Sequence, residues 1–110
     1  MSSAWADIKM DINANAHFGS EKDNLIATTQ NSDNGTYSLE GDMVKVNIKS
    51  SISKTSPKLI NLKVETYKKI NNNFILWNTS EVSTESGRNA DLKLTKDKDS
   101  VSVSIAPTTI

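Results

Sequence analysis

Met43-Val44-Lys45-Val46-Asn47-Ile48-Lys49-Ser50-Ser51-Ile52-Ser53 decides the fold. Side chains of an extended chain point alternately to opposite faces. Val44, Val46, Ile48 and Ile52 therefore share one face, and Lys45, Asn47 and Lys49 share the other. An apolar face opposite a charged one describes a strand with one side on a core and one in water, the usual state of an antiparallel sheet.

The same period continues on both sides. After a break at Ser56-Pro57, where proline lacks the ladder donor, residues 59–69 put Ile60, Leu62, Val64 and Thr66 inward. Asn61, Lys63, Glu65 and Tyr67 point outward. On the other side, Glu40-Gly41-Asp42 and Asn31-Ser32-Asp33-Asn34-Gly35 read as turns, the second carrying an Asn-Gly suited to positive φ. Extended segments are expected at 36–39 and 25–30, with a connection over 17–24. Before it, Ile8, Met10, Ile12, Ala14 and Ala16 alternate with polar residues in a long strand. Towards the C-terminus, Asn71-Asn72-Asn73 turns. Phe74-Ile75-Leu76-Trp77 is an apolar run expected to be buried on both faces or at a sheet corner, with extended chain through Val82 and Trp77 in the core. Ala90, Leu92 and Leu94 form another strand. Lys96-Asp97-Lys98-Asp99 reads as a solvated hairpin tip. Val101, Val103 and Ile105 alternate with Ser100, Ser102 and Ser104, and Pro107 ends that strand.

About eight strands with no 3.6-residue period predict an all-β fold, an antiparallel β-sandwich, with a β-barrel as the alternative. The 110 residues suit one domain, expected over 7–110. Residues 1–6 are expected to be a signal-peptide remnant or an added tail. Ala4 and Ala6 match the A-x-A pattern of a processing site, with Asp7 as the first mature residue. That pattern predicts a secreted, extracellular protein. Lysine far outnumbers arginine, Arg88 being the only one, and asparagine is frequent; both point to an AT-rich, low-GC Gram-positive bacterium. No segment approaches the length of an apolar membrane span.

Function classes narrow by chemistry. There are no cysteines, which removes disulfides and thiolate metal sites. His17 is the only histidine and has no nucleophile motif beside it, so the chain is expected not to be an enzyme, a small hydrolase being the least favoured reading. Gln30, Ser32 and Asn34 occupy the positions where a calcium loop needs acids. No metal site and no cofactor are therefore expected. A single arginine argues against nucleic-acid readout.

The formal charge is zero, but it is segregated. Residues 1–42 carry two lysines against seven acids, whereas 43–69 carry seven lysines against Glu65. Lys45, Lys49, Lys63, Tyr67, Lys68 and Lys69 form the candidate ligand-binding set, for a protein or an anionic glycan such as a teichoic acid or a glycosaminoglycan. The competing expectation is that the acidic strand 7–16 lies beside these lysines and neutralises them. Ser100, Ser102 and Ser104 suggest a strand open to addition if it is an edge, the basis of an alternative structural or assembly role. The chain is otherwise expected to be monomeric.

Tyr37-Ser38-Leu39-Glu40-Gly41-Asp42, followed by Val44, Val46 and Ile48, resembles the strand–Gly-turn–strand of small secreted β-sandwich proteins of Gram-positive bacteria, in particular pre-peptidase C-terminal domains. The resemblance spans roughly residues 36–53, with fainter likeness over 90–105. It implies a non-catalytic binding or accessory role and assigns no site residue.

Overall fold

The computed structural model describes residues 7–56 and 58–110. The expected processing site at Ala4 and Ala6, and the break at Pro57, lie outside the described residues. Eight strands follow in order: β1 (Asp7–Phe18), β2 (Glu21–Ser32), β3 (Gly35–Glu40), β4 (Val44–Ile52), β5 (Leu59–Ile70), β6 (Asn73–Glu85), β7 (Ala90–Lys96) and β8 (Asp99–Thr109). They form two four-stranded sheets, β2-β1-β8-β7 (sheet A) and β3-β4-β5-β6 (sheet B). All pairings are antiparallel. The fold is a β-sandwich and not a closed barrel.

The alternation read in the sequence becomes the core. Ile8, Met10 and Ile12 of β1 and Val101, Val103 and Ile105 of β8 meet Val44, Val46 and Ile48 of β4 and Ile60, Leu62 and Val64 of β5. All twelve are essentially inaccessible. The four central strands thus supply most of the interior, and the edge strands add Leu39 of β3 and Ala90 of β7 with otherwise half-buried inner residues. Two buried hydroxyls interrupt the interior: among the described residues, Ser50 Oγ and Thr66 Oγ1 find no hydrogen-bond partner. Desolvating an unpaired hydroxyl costs stability. Thr66→Val keeps the shape and removes that cost, so it should stabilise the fold by about 1–2 kcal/mol. Thermal unfolding would then move up by roughly 4 °C or more; a fall in the midpoint would show that the hydroxyl is paired in solution.

Several expected boundaries are corrected. The connection expected over 17–24 shrinks to a two-residue turn, Gly19-Ser20, with Gly19 at φ 64°. β1 therefore continues through His17 to Phe18, whose ring closes the core. The run 74–77 is not buried on both faces. It belongs to β6, an edge strand, and Ile75 and Leu76 are half exposed. A bulge lets Leu76 face Tyr67 while Asn78 faces Thr66. Trp77 is the extra residue, turned inward edge-on to Phe18 with ring centroids 5.7 Å apart. β8 is not an edge: it lies between β1 and β7, so its serines border no free backbone.

Two aspartates fasten β2 to sheet B. Asp23 Oδ2 accepts the backbone N–H groups of Met43 (2.6 Å) and Val44 (3.1 Å). Asp33 Oδ1 accepts the N–H of Ile52 at 2.9 Å. Gly41 is needed at the first of these, because a Cβ there would lie 2.8 Å from both Asp23 Oδ2 and a methyl of Leu25.

Candidate binding face on sheet B

Strand parity places Lys45 and Lys49 on the outer face of β4, and Lys63, Tyr67 and Lys69 on the outer face of β5. The register then fixes who faces whom. Lys49 lies directly opposite Lys63, and Lys45 opposite Tyr67. On the flanking strands, Glu40 faces Lys45, Glu81 faces Lys63, and Phe74 faces Lys69. The acidic strand β1 belongs to sheet A, so it does not neutralise this face. Acidic groups on this face are Glu40, Glu65, Glu81 and Glu85 of sheet B itself.

The face has two regions. At one, Lys49, Lys63, Glu81, Ser51, Asn61, Ser83 and Asn34 surround a shallow hollow of about 550 Å³. Among the described residues the ion pairs are Lys68–Asp99 and Arg88–Glu85. Lys49 and Lys63 thus sit side by side, and Glu81, opposite Lys63, forms no ion pair with it. At the other region, Lys45 Nζ lies 5.7 Å from the centroid of the Tyr67 ring and Lys69 Nζ 5.6 Å from that of Phe74. Both distances suit cation–π attraction. Leu76, 52% exposed, completes this amine-and-ring surface. Phe74 and Leu76 escaped the sequence reading because the bulge at Trp77 shifts parity within the run.

Lys68 does not belong to the face. It points to the inner side, 2.6 Å from Asp99 Oδ2, with its Nζ 5.2 Å from the Phe18 ring centroid. Asp99 Oδ1 also accepts the Gly19 N–H at 3.1 Å. So Asp99 is a structural partner and not part of a solvated tip. The signal was available: Lys68 shares the even parity of Ile60, Leu62, Val64 and Thr66.

Elsewhere, His17 is exposed on the outer face of sheet A, between Lys22 and Ser100 in register. Asp23 and Asp33 are engaged with backbone N–H groups, and among the described residues no three acidic, His or Cys side chains gather as a metal site would require. Among them, too, no helix is long and apolar enough to cross a membrane. Comparison of the chain with protein-family models, with curated proteins and with solved structures finds no match.

Proposed function

We propose that this protein is a secreted, non-catalytic binding module that holds an anionic partner against the outer face of sheet B. The observation that carries the reading is the Lys49–Lys63 pair. Like charges directly opposite on neighbouring strands repel and cost stability. An anion seated between the two ammonium groups relieves that repulsion and gains from both charges. A row of such contacts, from Lys49 and Lys63 to Lys45 and Lys69, suits an extended anionic glycan at a bacterial or host surface. Tyr67, Phe74 and Leu76 add a surface on which a sugar ring or an apolar side chain can rest. An acidic protein segment is the second ligand class this arrangement admits. His17 is exposed opposite Ser100, and among the described residues no side-chain hydrogen bond aligns it with a nucleophile, which supports a non-catalytic role.

The test is binding to heparin and to poly(glycerol phosphate) over a salt titration. Lys49→Gln with Lys63→Gln should weaken binding by about tenfold, or 1.4 kcal/mol, and flatten the salt dependence. Lys93→Gln, on the outer face of sheet A, should leave it unchanged. Equal loss in the Lys93 variant, or none in the paired variant, would remove sheet B as the binding face.

A further inference from the structure

The four edge strands are not equally protected. Edges carry unpaired backbone groups, and proteins blunt them with short length, charge, proline or bulges. β3 has six residues and β7 seven, and β7 also carries Asp91, Lys93 and Lys96. β6 is bulged at Trp77 and carries Glu81 and Glu85. β2 has none of these devices over Asn24-Leu25-Ile26-Ala27-Thr28-Thr29-Gln30-Asn31-Ser32. Its twelve residues pair with β1 in unbroken register, so the strand is straight and its outer edge continuous. Asp23 and Asp33 fasten its two ends and leave the middle open. Ile26, near the centre, is 72% exposed, the largest value for a large hydrophobic residue among the described residues.

The free backbone groups can be assigned. Ile110 N–H donates to Asp7 C=O, so odd residues of β1 direct their backbone groups to β8 and even residues direct theirs to β2. Ala14 faces Leu25, so odd residues of β2 are used by β1. Asn24, Ile26, Thr28 and Gln30 then present their N–H and C=O groups outward, as alternate residues of an antiparallel ladder do.

We infer that β2 is a self-association edge, and that its occupant is β2 of a second copy, antiparallel across a two-fold axis at Ile26. This register matches like with like. Ile26 meets Ile26 of the second copy, Leu25 meets Ala27, Asn24 meets Thr28, Asp23 meets Thr29, Lys22 meets Gln30 and Glu21 meets Asn31. No charge faces its own sign. Moving the axis to Ala27 would set Glu21 against Asp33, and moving it to Leu25 would set Asp23 against Ala27 and Asn24 against Ile26. About ten backbone hydrogen bonds form across such a pair, and the two sheets A become one eight-stranded sheet. The hollow between β2 and β3, lined by Leu25, Ile26, Ala27, Tyr37, Leu39 and Glu40 among others, lies beside the junction. This departs from the monomer expected from the sequence, and it does not depend on the lysine-bearing face.

Sedimentation over the micromolar to millimolar range should show the wild-type mass doubling. Ile26→Lys places two ammonium groups on the axis and should raise the midpoint concentration of association by about tenfold or more. Ile26 is 72% exposed and outside the core, so thermal unfolding of the dissociated variant should confirm an intact fold. The chain has no cysteine, so Ile26→Cys creates a lone thiol whose twin lies about 5.5 Å away between Cα atoms, within disulfide range. Mild oxidation should give a covalent dimer, whereas Thr79→Cys on β6 should remain monomeric. Amide exchange at Ile26 and Thr28 should slow as concentration rises. A wild type that stays monomeric would assign the edge to another chain or to none, and overturn the inference. A dimer indifferent to Ile26→Lys, or equal cross-linking through Thr79→Cys, would place the interface elsewhere and overturn it as well.

Discussion

Phe18→Ala should cost the fold roughly 3–5 kcal/mol, the range for deleting a buried ring. Phe18 is 5% exposed and sits where three elements converge. Trp77 meets it edge-on, with ring planes at 71°. Lys68 lies over its face, and Lys68 is fixed by Asp99, which also holds the Gly19 N–H. Removing the ring therefore opens a cavity, releases the indole of the bulge and strips the lysine of its apolar cover. The loss is a large share of the roughly 5–15 kcal/mol that keeps a domain folded. Urea denaturation gives the size of the effect, and near-ultraviolet circular dichroism should show the Trp77 signal collapse in the folded variant. Phe18→Leu, which refills most of the space, should recover more than half of the loss. An alanine variant within about 1 kcal/mol of wild type would mean that this end closes without the ring.

The second large effect concerns Asp23. Its Oδ2 accepts two backbone N–H groups at the start of β4. Hydrogen bonds to a charged group contribute more than neutral ones, and donors left unpaired add a penalty. Asp23→Ala should therefore destabilise by about 2–3 kcal/mol, with faster amide exchange at Met43 and Val44. Asp23→Asn keeps an accepting carbonyl at the same place and should lose about half as much. Equal losses in the two variants would show that the geometry of this contact, and not its acceptor, carries the effect.

Much of the architecture is legible in the sequence because β1, β4, β5, β7 and β8 alternate cleanly. Their inward residues are the core residues, and their outward residues put Lys45, Lys49, Lys63, Tyr67 and Lys69 on one face. Parity is a local property, however, and pairing is not. Nothing in residues 7–16 says that this acidic strand joins β8 and leaves the lysine face alone. Nothing in Ser100, Ser102 and Ser104 distinguishes a central strand from an edge. β2 reads weakly because an edge strand is only half-buried on its inner side, which dilutes the alternation. At Trp77 the chain inserts one residue into the ladder, and any reading by period two fails within that run. Lys68 is the instructive case. Its parity pointed inward, but its charge suggested water; Asp99, distant in sequence, provides the partner that allows the inward position.

The strand order also dictates when the molecule can be finished. Sheet B is a meander, β3 to β6, whose strand pairings are all between neighbours in the chain. Sheet A is different: its central ladder joins Ile8 to Thr109 and Ile12 to Ile105, almost the full length of the sequence. Contacts between such remote residues form slowly, because a long loop must close before any of them is gained. On a ribosome, the β1–β2 hairpin emerges well before β8 and must wait for it. Until then the meander exposes the apolar side that β1 and β8 will cover, and the open edge of β2 waits beside it. The interval before closure is when the nascent chain is most open to wrong partners. A pairing of β2 with its own twin before β8 arrives would be the first error to look for.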